Sequence, residues 1–155
     1  MMSRHGDVCT SYMRRLGAVE TKEDMFRVLC DANGGAWLFA LHAKNPLVTP
    51  VKEFMEEFKS YINGGHVMDY PEGYSSKFYC RYTGEIVADT TLVYLLECHE
   101  VQITVPANAY PSIILSKGSR AQIAMMPGAR LNIETYGDAE YSVSGDMTRV
   151  RITKH

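Results

Sequence analysis

Val101-Gln102-Ile103, Pro111-Ser112-Ile113, Ala121-Gln122-Ile123, Leu131-Asn132-Ile133, Tyr141-Ser142-Val143 and Val150-Arg151-Ile152 recur at a step of ten residues four times and then nine. Each triplet sets a polar residue between two candidates for an interior, the period of two of a half-buried strand, and clusters holding Gly, Pro, Asn or Asp separate the rungs. A stack of short strands is therefore expected, and the repeat extends back to Val93, ten residues before Ile103.

Such strands can form an antiparallel meander of hairpins or the coils of a short β-solenoid. Hairpin loops vary freely in length, whereas stacked coils need equivalent positions to coincide, so constant spacing favours the solenoid over the meander. In this respect residues Val93 to Ile152 resemble short β-solenoids such as bactofilin-like or adhesin-like coils. That resemblance rests on periodicity and implies a fold only.

Alternation points Val101, Ile103, Val105, Ile113, Leu115, Ala121, Ile123, Met125, Leu131, Ile133, Tyr141, Val143, Val150 and Ile152 inward. The opposite positions of the late rungs are polar, but Tyr94, Leu96, Ile114, Ala124 and Met126 are apolar and call for a cover.

The chain before the repeat reads as helical. A short helix is expected over Val8 to Leu16, and Thr21 followed by Glu23 and Asp24 opens a second with Met25, Phe26, Val28 and Leu29 on one face. Ala36 to Lys44 reads as a buried helix stopped before Pro46. Thr49-Pro50 starts the clearest helix, whose stripe is Val51, Phe54, Met55, Phe58, Tyr61 and Ile62. That helix is the nearest candidate cover for the apolar outer positions. Asn33-Gly34-Gly35 and Asn63-Gly64-Gly65 follow helices and read as caps, since a phosphate-cradling loop would precede one. The expected fold is α+β, with a helical unit over 1–73, a β-repeat unit over 74–155 and a joint near 74–84 that includes a hairpin around Lys77 to Tyr82.

Composition narrows the function classes. A hydrophobic fraction of 46% with 22% charged residues fits a folded domain. Net charge is −2 and no basic run exceeds Arg14-Arg15, so the electrostatic footprint of a nucleic-acid binder is missing. No stretch approaches the ~20 apolar residues of a membrane span. Cys9, Cys30, Cys80 and Cys98 are scattered, as reduced thiols of a cytoplasmic protein would be.

His5, His42, His66, His99 and His155 are dispersed with no C-x-x-C or H-x-x-x-H, and the adjacent Cys98-His99 would face opposite ways on a strand, so neither a metal nor another cofactor is expected. Cys30 beside Leu29 reads as a core thiol. Glu97 and Glu100 flank Cys98-His99, and two carboxylates with a histidine are the one set that could serve a small hydrolase acting on carbohydrate. Tyr70, Tyr74, Tyr79 and Tyr82 offer flat faces with polar tips, suited to binding a partner or to filling the joint. Ile114 and Met126 are the expected contacts of a homo-oligomer, most simply a dimer. The functional expectation is binding or assembly through protein–protein contacts without catalysis.

Overall fold

The repeat forms a short β-solenoid in the computed structural model, which describes residues 14, 17–29, 52–61, 66–69, 75–116 and 118–155. Strand β1 (His66–Asp69) lies antiparallel to β2 (Ser75–Cys80). The chain then alternates between two sheets through β3 (Gly84–Val87), β4 (Leu92–Leu96), β5 (Val101–Val105), β6 (Ser112–Ser116), β7 (Arg120–Met125), β8 (Leu131–Tyr136), β9 (Glu140–Ser144) and β10 (Val150–Lys154). One sheet has the order β1-β2-β4-β6-β8-β10 and the other β3-β5-β7-β9. After β1 every pairing is parallel, which excludes the meander.

Register gives the coil its size and its two sides. Val93 lies beside Ile113 and Ile113 beside Ile133, twenty residues apart, while Ile152 sits nineteen residues on beside Ile133. The ten-residue step is thus half a coil, and successive rungs belong to opposite sheets. The first coil is shorter, with Ser76 beside Leu92 and Gly84 beside Val101. Lys77 to Tyr82 is therefore no hairpin: it is the end of β2 and the corner that leads to β3.

Between the sheets run stacked columns, Val93–Ile113–Ile133–Ile152 on one side and Ile86–Ile103–Ile123–Val143 on the other. Each fully buried aliphatic side chain contributes about 1.5–3 kcal/mol, so the columns are the main source of stability. Of the expected inward set, Val101, Ile103, Val105, Ile113, Leu115, Ala121, Ile123, Leu131 and Ile133 are buried in this core, and Met125, Tyr141, Val143 and Val150 pack half-buried against it. Ile152 differs, being 42% exposed. It points inward like Ile133, but among the described residues no strand stacks beyond β10.

The apolar outer positions belong to two faces, where the ten-residue reading expected one. Tyr94, Leu96 and Ile114 lie on the outside of the sheet holding β4 and β6, and all three are buried together with Phe78, which stacks on Tyr94 with ring centroids 4.3 Å apart. Ala124 lies on the other sheet and is exposed, and Met126 follows it at the corner after β7.

Helices α1 (Lys22–Leu29) and α2 (Lys52–Tyr61) precede the sheets. Thr21 caps α1: its Oγ1 accepts from the Asp24 amide at 3.0 Å and donates to the Asp24 carboxylate at 2.6 Å. Phe26 of α1 meets Tyr61 of α2 at 5.2 Å between centroids, and Lys22 pairs with Glu57. The expected helix over Ala36 to Lys44, most of that over Val8 to Leu16 and both Asn-Gly-Gly caps lie outside the described residues. The β-sheet starts at His66, ahead of the expected unit boundary at 74. No helix among the described residues is long and apolar enough to cross a membrane.

Candidate functional site

Cys80 and Leu96 are paired across β2 and β4, so the residues that follow them, Arg81 and Glu97, occupy equivalent corner positions in adjacent coils. Both have positive φ, 53° and 52°, and their side chains join at 2.9 Å between Arg81 Nε and Glu97 Oε2. The other Glu97 oxygen accepts from Lys59 Nζ at 2.8 Å. Arg81 and Lys59 both reach Glu56 as well, which closes, among the described residues, a four-membered ion network between α2 and the solenoid. Lys59 is only 4% exposed. Hydrogen bonding to Arg81 holds the Glu56 carboxyl below its ordinary range.

This network separates the carboxylates considered for hydrolysis. Glu97 is committed to two cations, whereas Glu100 is exposed and borders a shallow groove of about 280 Å³ with Arg120, Gln122 and Glu140. Neither Glu97 nor His99 lines that groove. His99 is exposed, with its backbone amide bonded to the Tyr82 carbonyl at 3.2 Å. The three residues thus lie at one corner of the chain, but the groove that Glu100 borders takes in neither of the other two.

Of the tyrosines, Tyr79 and Tyr82 pack against the first coil of the core, with centroids 4.9 Å apart. The Tyr82 hydroxyl donates to the Glu85 carbonyl, and burial raises the Tyr79 phenol above its ordinary value. Both brace the corner between β2 and β3. Tyr70 and Tyr74 lie outside the described residues. Ile114 is 4% exposed within the chain itself, so it offers no surface, while Met126 is 48% exposed.

Cys80 and Cys98 are buried free thiols. Burial pushes Cys80 up to about 12 and Cys98 up to about 11, which leaves almost no thiolate near neutrality. Cys98 Sγ also contacts the Tyr79 and Leu96 carbonyls at 3.4 Å. Among the described residues no three His, Cys, Asp or Glu side chains gather as metal ligands.

The β10 end of the stack carries the arrangement that a ten-residue reading obscures. A 3-10 turn, Met147–Arg149, leads into β10 and is capped by Asp146, whose Oδ1 accepts from the Thr148 amide at 3.1 Å and the Thr148 hydroxyl at 2.6 Å. That tight turn makes the last coil one residue shorter and brings Arg149 into register with Arg130, and Arg130 with Tyr110. Each thus stands at the corner just ahead of a paired strand, one coil from the next. With Arg151 and Thr148 they line a recess of about 440 Å³. Arg149 contacts the Gly128 carbonyl at 3.3 Å and Asp146 at 3.4 Å, whereas Arg130 and Arg151 make no ion pair among the described residues. Tyr110 is 62% exposed. A period of twenty would have revealed this column.

Backbone groups add to that end. The His155 amide donates to the Thr135 carbonyl at 2.9 Å, so Arg151, Thr153 and His155 direct their amides toward β8. Strand alternation then turns those of Ile152 and Lys154 outward, where no strand among the described residues receives them. No family model matches the chain, no curated protein matches it in sequence, and no solved structure matches it in fold.

Proposed function

We propose that the chain works by binding, through protein–protein contacts at the β10 end of its solenoid, and not by catalysis. One observation carries this reading: Ile152 has the inward orientation of a core residue yet is 42% exposed, on a strand with a single neighbour among the described residues. An apolar edge with unpaired amides is a template for another strand. Its arginines limit which strand can dock. The same reading puts the protein in the cytoplasm, in keeping with the free thiols Cys80 and Cys98. A second copy of the chain is one candidate for the occupant, and light scattering over a range of concentrations identifies that case.

The deciding experiment has two arms. Purified protein is screened against glycoside and ester substrates beside Glu100→Gln and His99→Ala, and no turnover specific to the wild type is expected. Native extract is passed over immobilised wild type and over Ile152→Lys, and proteins retained by the first and lost by the second are expected. Turnover abolished by both substitutions, or identical retention on both columns, would overturn the reading.

A further inference from the structure

We infer that the free edge of β10 receives an extended peptide in which apolar and acidic side chains alternate. The inference rests on the binding role proposed above and names the chemistry of the partner. The outward amides of Ile152 and Lys154 supply main-chain hydrogen bonds, which fix an added strand without regard to its sequence. Side chains supply the selection. Beside β10, alternate residues of the incoming strand face the gap between the sheets, where Ile152, Val150, Tyr141 and Val143 present the incompletely covered end of the core. Apolar residues fit there, because each one prolongs a column that already runs through four strands.

The intervening residues face outward beside Arg151, and the strand's end near the corner comes beside Arg149, with Arg130 one coil further back in the same recess. Carboxylates suit these places: Arg151 and Arg130 make no ion pair among the described residues, and a guanidinium fork takes a carboxylate in two parallel hydrogen bonds, while Arg149, already held by Asp146 and the Gly128 carbonyl, adds only its share of charge. Tyr110 at the base of the same column offers a flat face beside the cations. The same charges argue against a second copy as the occupant: pairing β10 with its own counterpart gathers Arg149, Arg151 and Lys154 of both chains on one edge. A partner of opposite sign removes that repulsion, and its binding weakens as salt rises.

The probe is a short synthetic peptide of alternating valine and glutamate, with alternating valine and lysine, and alternating serine and glutamate, as controls. Binding is read by fluorescence anisotropy and by residue-resolved hydrogen exchange. The valine–glutamate peptide is expected to bind best, to slow exchange at the Ile152 and Lys154 amides, and to lose about tenfold or more in affinity with Arg130→Glu/Arg151→Glu, equivalent to at least ~1.4 kcal/mol. Circular dichroism and unchanged protection of β6 in that variant exclude simple misfolding. Equal binding of the lysine peptide, binding without protection of the two amides, or affinity indifferent to the double substitution would each overturn the inference. So would protection of Ile152 that grows with protein concentration in the absence of peptide, which would make the occupant a second copy. If no peptide binds while extract proteins are still retained by wild type and lost by Ile152→Lys, the inference falls and the binding role stands. If both fail, the binding role falls too.

Discussion

Gly128 and Asn108 hold equivalent corner positions in adjacent coils, and both have positive φ, 78° and 60°. A Cβ on Gly128 would lie 2.2 Å from Asn108 Oδ1, so alanine there meets strain from the backbone and from the neighbour together. Gly128→Ala is expected to cost about 2 kcal/mol. In an Asn108→Gly background, where the blocking atom is removed and the backbone keeps its freedom, the cost should fall to about 1 kcal/mol. Chemical denaturation of the four proteins of this cycle measures the coupling; strictly additive losses would mean that the corners do not stack as described. The thiols make a second residue-scale prediction. Cys80 moves from an ordinary 9.0 to about 12 and Cys98 to about 11, both through burial. Raised values mean that their contribution to stability is complete below pH 9 and is lost as pH rises through about 11 and then about 12. Thermal midpoints should therefore decline above pH 9 in wild type, and less steeply in Cys80→Ala/Cys98→Ala between pH 9 and 11. Parallel declines in the two proteins would assign alkaline unfolding to other groups.

Helix α2 meets the solenoid through a charged contact with a buried lysine at its centre, which gives its docking a pH dependence. Glu97→Gln leaves Lys59, 4% exposed, with only the more distant Glu56 to balance it. A cost of about 3 kcal/mol is expected, since one partner of a buried pair has been removed. Exchange of the α2 amides should accelerate while β5 and β7 stay protected; equal acceleration in both would show that the network stabilises the whole chain and not this joint. Acid acts on the same contact. Hydrogen bonding to Arg81 lowers the Glu56 carboxyl, so its contribution is present above the ordinary carboxylate value and disappears as pH falls below it. Elements differed in how clearly the sequence announced them. Thr21-Lys22-Glu23-Asp24 marked the start of α1, because a hydroxyl that accepts from an amide three residues on leaves a local signature. Strand β1 carried no such mark: its four residues, His66 to Asp69, are fixed by pairing with β2, a contact that no local pattern encodes.

Across the whole molecule, the column residues from Val93 to Val143 were legible because burial between two sheets demands strict alternation. The two-sided coil was not, since a ten-residue step fits strands that alternate between sheets as well as strands that share one. That ambiguity merged Ile114 with Ala124 and Met126 into one imagined surface and hid the register of Tyr110, Arg130 and Arg149. Glu97, His99 and Glu100 were readable as neighbours in sequence, but the pairing of Glu97 with Lys59 and Arg81 depends on α2 and on the stacking of adjacent coils. Both the stacked fold and the binding proposed for its end require β10 to be a paired strand with one free edge. Residue-resolved hydrogen exchange on the dilute purified chain tests this most directly. Arg151 and Thr153 should exchange slowly, because their amides face β8, while Ile152 and Lys154 between and beyond them exchange fast. Uniformly slow exchange along β10 would mean that the edge is already occupied, and uniformly fast exchange that β10 is not part of the sheet; either result would contradict the account.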